Sequence, residues 1–254
     1  MFARLTRNRC VGISTIARSY HSIYHVNPAI VDLKTLENQV LNEAYEKYVP
    51  SRGFTNEAVQ LASKDLGLNG NSTNAMFNFT SSTKDMQMEL ILFHLKKCRQ
   101  ELEDLRSSEA FQEQAKCLSE TERLRSLIQY RLKLNEPIIK HLPNVLGHMI
   151  QPMNFMTSMR ELHNLSDDIT HYAGDRSIDF AWYSKRASIS GLFIQSELFM
   201  INDKSVDFQD TYEFVNSKLK EIETAAYAYN SIEEWVFFNA VSIVNIVKSQ
   251  LARG

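Results

Sequence analysis

Residues 53–79 read GFTNEAVQLASKDLGLNGNSTNAMFNF. Thr55 stands where a helix N-cap belongs, Glu57 falls in the first turn, and Ala58, Val59, Leu61, Ala62 and Leu66 recur at helical spacing before Gly67. The stretch predicts a short capped helix, then a polar, turn-rich segment with room for one more short helix around Asn74. Upstream, Leu36, Val40, Leu41, Ala44, Tyr45 and Tyr48 mark the apolar face of a helix that Pro50 and Gly53 should stop. Downstream, Met86, Met88, Leu90, Ile91, Phe93, His94 and Leu95 predict a longer helix from about Lys84 to Leu105.

The rest of the chain extends this pattern. Ser107 to Leu118 is polar and without periodicity, and reads as a linker. Ser119 and Glu122 form a capping-box pattern that opens a helix interrupted at Pro137 and Pro143. A helix is expected from Asn154 to Ala173, halted at Gly174, and another from a cap at Ser177 or Asp179 through Met200. Asp207, with Asp210 at the capping-box position, should open a helix running to about Tyr229, and Ser231 with Glu234 a last one. The chain has 254 residues, 44% of them hydrophobic, and only 8 Gly and 5 Pro, too few turn formers for an all-β protein. The expected fold class is all-α. Cys10, Cys98 and Cys117 form no CxxC pair, so neither a disulfide framework nor a zinc site is expected.

The first residues differ in kind. Arg4, Arg7, Arg9 and Arg18 alternate with Phe2, Leu5, Val11, Ile13 and Ile16, and no acid precedes Asp32. That is the composition of a mitochondrial transit peptide, assigned to residues 1–25.

The order of helix, Gly-Phe turn, short helix, Leu-Gly turn, short helix and long helix resembles the helix-turn-helix end of tetracycline-repressor-type regulators. Gly53-Phe54, Leu66-Gly67 and Phe77 occupy the marker positions. The stretch where a recognition helix belongs, residues 69–79, contains no Lys or Arg. Phosphate contact and guanine readout rely on cations. Residues 36–97 carry seven acids and six bases, and the net charge is −2. No nucleic-acid partner is expected, and the helix-turn-helix end is read as degenerate.

Three constellations bear on function. In HYAGDRSIDFAWYSKR, residues 171–186, Arg186 follows Trp182 by four residues on a helix whose face continues through Ile189, Phe193 and Met200. A guanidinium there must be paired or hydrogen-bonded. An internal carboxylate, snorkelling to the surface, or an anionic head group at the mouth of an apolar pocket each meets that need. Trp182 and Tyr183, beside Asp179 and Asp175, equally suit an exposed protein-binding patch. Second, His163, Asp167, His171 and Asp175 share a helix face at four-residue steps. A metal site needs ligands from facing helices, and no Glu-x-x-His partner exists elsewhere, so intrahelical pairing is the preferred reading. Third, Ile232, Val236, Ile243, Val247 and Leu251 form one face of the last helix, widened by Trp235, Phe238, Val241 and Val244. Such a helix packs on the core or lies in a membrane interface, with Trp235, Phe238 and Val241 as the membrane contacts. It is short of the roughly 20 apolar residues needed to span.

NEPIIKHLP (Asn135 to Pro143), LSDDITHYAGDRSIDFAWYSKRA (Leu165 to Ala187) and SELFMINDKSVDFQDTYEF (Ser196 to Phe214) resemble the accessory lipid-binding protein family of mitochondrial coenzyme Q (ubiquinone) biosynthesis, in a fungal form. The resemblance implies a tetracycline-repressor-like helical bundle in four parts. These are the transit peptide, a degenerate helix-turn-helix region and connecting helix over 30–105, a helical lipid-binding domain over 106–230, and a C-terminal amphipathic helix over 231–254. It implies a homodimer, peripheral on the matrix face of the inner mitochondrial membrane. It also implies a non-catalytic protein, without catalytic residues, metal or cofactor, that binds isoprenoid quinone intermediates and phospholipid. Its partner would be the di-iron demethoxyubiquinone hydroxylase within the coenzyme Q biosynthetic complex. Asp179, Trp182 and Tyr183 match the family's partner-binding patch, and Arg186 its lipid-contacting arginine. The alternatives are a structural scaffold subunit and an enzyme acting on a quinone precursor.

Overall fold

The computed structural model describes residues 30–80, 85–175 and 180–224, and every element in them is helical. Thr35 caps α1 (Leu36–Glu43) by accepting the Asn38 N–H, and Val40 and Leu41 turn inward. The chain stays helical past Pro50: α1 widens into a π turn, Ala44–Tyr48, and continues as α2 (Val49–Arg52). Pro50 falls in the first turn of α2, where its missing N–H leaves no bond unmade, so only Gly53 ends the segment. Gly53 has φ 71°, and a Cβ built there would lie 2.7 Å from His141 Nδ1. Thr55 caps α3 (Asn56–Asp65) through the Ala58 N–H, and Gly67 closes it at φ 74°. α4 (Gly70–Thr80) inserts Phe77 into the core.

α5 (Met86–Ser107), capped by Asp85, is the strut of the molecule. Its first half packs Leu90, Ile91 and Phe93 into a core with Val40, Val49, Val59 and Phe77 of α1–α4 and with Ile138, Leu142 and Val145. Its second half places Leu102 in a separate core with Leu127, Ile128, Ile169, Ile189 and Phe193.

The expected linker at 107–118 is a helix. Ser108 caps α6 (Glu109–Cys117) by accepting the Phe111 N–H, and Phe111 is buried in the second core. A single buried aromatic among polar residues anchors this helix, and one anchor leaves no apolar period to read. α7 (Glu120–Lys133) opens with a complete capping box at Ser119 and Glu122. Pro137 lies in a 3-10 turn (Glu136–Ile138) and Pro143 in the first turn of α8 (Leu142–Met149). α9 (Pro152–Tyr172) follows α8 after a sharp corner and packs against α10 (Phe180–Asn202). The cap expected at Ser177 or Asp179 lies outside the described residues.

The start of α11, residues 209–224, differs from the capping expected of Asp207. Asp203 accepts the Thr211 N–H at 2.9 Å and Ser205 Oγ accepts the Asp210 N–H at 3.1 Å. Asp207 instead occupies a left-handed turn residue at φ 52° inside the 3-10 segment Val206–Phe208. The end of this helix and the whole segment 231–254 lie outside the described residues.

A buried polar chain joins the two cores across α5. The Tyr45 hydroxyl meets His94 Nδ1 at 3.1 Å, and His94 Nε2 meets Asn135 Oδ1 at 3.3 Å. Because Asn135 Oδ1 only accepts, Nε2 carries the proton and the tyrosine donates to Nδ1. Burial lowers the basicity of His94 from the ordinary 6.5 to about 3, so the ring is neutral.

Two predictions follow from this geometry. Gly53→Ala is expected to lower unfolding free energy by more than the ~1–2 kcal/mol of left-handed strain, because the methyl also meets His141. Gly67→Ala, with open space around its Cβ, should lose only the strain part; urea midpoints of the two variants check the order. The second concerns acid. Below pH 6.5 the unfolded chain protonates His94 and the folded chain does not, down to about 3, so stability falls with pH over that window. Going from pH 6.5 to 5 should cost on the order of 2 kcal/mol through this ring. His94→Gln should flatten that part of the stability–pH curve.

Candidate functional site

Helices α8, α9 and α10 each place an apolar stripe where no other helix among the described residues covers it. On α10 the stripe is Phe193, Ile194, Glu197, Leu198 and Ile201, and on α9 it is Phe155, Ser158, Met159, Leu162 and Leu165. These spacings of three and four residues define one face of each helix. With Leu95 of α5 and Leu146, Met149 and Ile150 around α8, they enclose a cavity of about 550 Å³. That is a size suited to a small apolar ligand. The cavity is open: Ile150 is 72% exposed and Leu198 52%, although both are large aliphatic side chains.

The α8–α9 corner holds the cavity wall in place through side chains that satisfy the end of α8. Asn154 Nδ2 donates to the His148 carbonyl at 3.2 Å and Ser158 Oγ to the Met149 carbonyl at 3.1 Å. Such carbonyls otherwise lack helical partners. His148 Nε2 lies 2.7 Å from the Asp85 carboxylate, tying α8 to the start of α5.

Three arginines are buried among the described residues, and they are held differently. Arg99, on the cavity wall, donates from Nε to Asp168 at 2.6 Å and from Nη1 to Glu161 at 3.0 Å. Arg186 donates from Nε to Asp167 at 2.5 Å, and from Nη1 to Asp175 and to the Trp182 carbonyl at 3.0 and 3.2 Å. Arg131, also on the cavity wall, has one bond, from Nη1 to Asn135 Oδ1 at 2.8 Å. Asn135 Nδ2 donates in turn to Glu197 at 2.8 Å. Burial pushes the Glu197 carboxyl above its usual range, against the opposing pulls of Arg131 and Asn135.

The residues singled out from sequence fall in two places. Arg186 sits against α9 rather than on the cavity wall, its guanidinium 4.0 Å from the Trp182 ring centroid. Of the ways to satisfy this cation, the fold supplies internal carboxylates. Trp182 packs edge-on against Tyr183, with ring centroids 4.7 Å apart, and Tyr183 is 67% exposed. Asp179, Trp235, Phe238 and Val241 lie outside the described residues. Along the His163–Asp175 face, Asp167 and Asp175 are held by Arg186, and Asp175 also by Lys185 at 2.9 Å. Among the described residues no cluster of three or more His, Cys, Asp or Glu could hold a metal ion.

Sequence reasoning missed Arg131 and Glu197. Their signal was present: Arg131 continues the buried α7 series Leu124, Leu127 and Ile128 at helical spacing, and Glu197 interrupts the stripe of Phe193, Ile194, Leu198 and Ile201 on α10.

The part of the chain that builds the outer cavity wall and the Trp182–Arg186 segment is also the part that a family model matches. A family model for COQ9 matches residues 155–226. The chain is 33% identical over 253 residues to the ubiquinone biosynthesis protein COQ9, mitochondrial, of Saccharomyces cerevisiae, covering 93% of this chain and 95% of that protein. Its counterpart in Schizosaccharomyces pombe is 32% identical over 248 residues, covering 96% of this chain and 92% of that protein. The human protein of the same name is 33% identical over 194 residues, covering 73% of this chain and 57% of the human one. Together, the near-full-length similarity to the two yeast proteins and the match over α9–α11 show that the chain belongs to the COQ9 family.

Proposed function

We propose that this chain is a non-catalytic lipid-binding protein of mitochondrial ubiquinone biosynthesis. It takes isoprenoid quinone intermediates, or phospholipid, into the cavity between α5 and α7–α10. It presents the quinone intermediates to a di-iron demethoxyubiquinone hydroxylase on the matrix face of the inner membrane. Relatives at about a third identity are named as mitochondrial ubiquinone biosynthesis proteins, which sets the pathway and the compartment. Residues 1–25 serve as the transit peptide. The amphipathic segment 231–254 rests on the membrane through Trp235, Phe238 and Val241, and a homodimer presents two cavities to the surface. No helix among the described residues is long and apolar enough to cross a membrane.

One observation carries the reading: a cavity of about 550 Å³ lined mainly by aliphatic and aromatic side chains and open at its rim. A polyisoprenoid-tailed ring is nearly insoluble, so its transfer through water is slow. Burying its tail on Leu, Ile, Met and Phe recovers roughly 25 cal/mol per Å² of apolar surface removed from water. Of the two acids on the cavity wall, Glu161 is paired with Arg99 and Glu197 accepts from the Asn135 amide.

Trp182, Tyr183 and Asp179 form the hydroxylase-docking patch in this reading. Arg186 serves the patch by holding Trp182 from beneath, its own charge being met by Asp167 and Asp175.

Native mass spectrometry of the protein purified from mitochondria is expected to show a bound isoprenoid quinone species. Ile194→Trp combined with Leu198→Trp adds bulk at the exposed rim, and should reduce occupancy by about tenfold or more, a loss of ~1.4 kcal/mol. Protein that carries no lipid, with an unchanged variant, would overturn the reading. For docking, Tyr183→Ala should cut hydroxylase capture with an unchanged melting point, since the side chain is exposed. Arg186→Ala should instead lose ~3–5 kcal/mol of stability by removing the cation that Asp167 and Asp175 share.

A further inference from the structure

The polar atoms on the cavity wall are unevenly satisfied. Arg99 meets two carboxylates, while Arg131, 1% exposed, leaves Nε and Nη2 without a hydrogen-bond partner among the described residues. No carboxylate lies within ion-pairing distance of Arg131 among the described residues, as Glu197 bonds to Asn135 instead. The face of Phe193 lies 5.3 Å from the guanidinium carbon and offers it only a quadrupole. Donors buried in this way are rare in folded proteins and ask for an explanation. An arginine remains charged in any surroundings a protein offers, so the site cannot relieve itself by losing a proton.

The missing bonds are not needed to hold the neighbours. Asn135 Oδ1 already accepts from His94 Nε2 at 3.3 Å, and Asn135 Nδ2 donates to Glu197 at 2.8 Å. Tyr45 completes the chain on the far side. The network closes without the Nε and Nη2 protons of Arg131. Two parallel N–H groups of a guanidinium make a fork that matches two lone pairs on one oxygen-bearing group. Arg131 lines the cavity, and apart from Arg99, Ser158, Glu161 and Glu197, whose polar groups are engaged, the lining side chains are apolar.

Resting on the lipid-binding reading above, we propose that Arg131 is the head-group anchor of the cavity. Its Nε–H and Nη2–H donate to a ring oxygen, carbonyl or phenolate, of a prenylated aromatic ligand that enters ring first and leaves its tail against the open rim at Ile150, Ile194 and Leu198. Arg99 shares the wall but not the role, because Asp168 and Glu161 occupy its donors. A lipid phosphate carries the same acceptor chemistry, and the probes below separate the two sources.

The test uses the full chain and three probes in the same detergent: geranyl-benzoquinone, geranylbenzene without ring oxygens, and geranyl phosphate. Arg131→Met keeps length and apolar stem but removes every donor. The expected result is that wild type binds the quinone at least about tenfold more tightly than geranylbenzene, and that the variant binds both alike. Arg131→Lys, which keeps charge but not the fork, should recover only part of the difference. Arg131→Met should melt at or above the wild-type temperature, whereas Arg99→Met should melt lower because it removes the cation that Asp168 and Glu161 share. Quinone and geranylbenzene binding equally well to wild type, unaffected by the substitution, would overturn the anchor and leave the cavity reading standing. Strong preference for geranyl phosphate would overturn the ring as ligand, and failure of every probe to bind would overturn the cavity reading as well.

Discussion

Two consecutive acids in the middle of α9 hold the second half of the molecule together. Asp167 accepts from Arg186 of α10, and Asp168 from Arg99 of α5, so one helical position is tied to two different neighbours. Each acid is buried, and a buried carboxylate without its cation would cost several kcal/mol, as would the cation without its acid. Neither helix can slide or rotate against α9 without breaking a pair. Glu161 and Asp175 extend the clamp one to two turns either way, through Arg99 and Arg186 respectively. The net stabilisation of such pairs over an apolar core is small; their effect is to permit one register.

That clamp explains why a cavity survives in a helical bundle. Helices with apolar stripes ordinarily close on one another at 8–10 Å, filling any gap with side chains. Here α9 is fixed at its centre and C-terminal half, while its N-terminal end is set by the tight corner after α8. Pro152 starts α9 after Gln151 in extended conformation, so the chain does not smooth that corner into a continuous helix. Held at both places, the stretch from Phe155 to Leu162 cannot settle onto α10. Its Met and Phe side chains line open space instead.

Much of the local structure could be read before any coordinates, because its causes are local. Caps at Thr55 and Ser119, stops at Gly53 and Gly67, and the apolar periods of α1, α3 and α5 depend on residues within a turn of one another. The errors share a different cause. Pro50 does not stop its helix because a π turn absorbs it, and α6 forms although only Phe111 reaches the core. Asp203 and Ser205, rather than Asp207, cap α11. The candidate site was legible in part. The need of Arg186 for a partner followed from its neighbours, but which partner it meets depends on how far α10 lies from α9, a distance no spacing encodes. The cavity was illegible for the same reason, since it is a place where three helices fail to meet.

The buried arginines divide the labour of this half of the chain. Where helices must be held, at Arg99 and Arg186, each cation is matched by two acids in or just beyond α9, and the charge contributes to register. Where the cavity ends, at Arg131, the same side chain is matched by one amide oxygen, and the Glu197 carboxyl, pushed toward its neutral form by burial, bonds to Asn135 instead. A protein under selection for stability alone has an easy remedy, because Met or Leu fits a buried position on α7 at lower cost than an unpaired guanidinium. The chain keeps the cation beside Phe193, and in the proposed function that cost is offset when ligand oxygen replaces the water the arginine gave up on folding. Specificity then follows from the same unpaired donors. An apolar tail alone fits the wall but leaves them unsatisfied, and a ligand that brings oxygen to that end is favoured over every equally greasy competitor in the membrane.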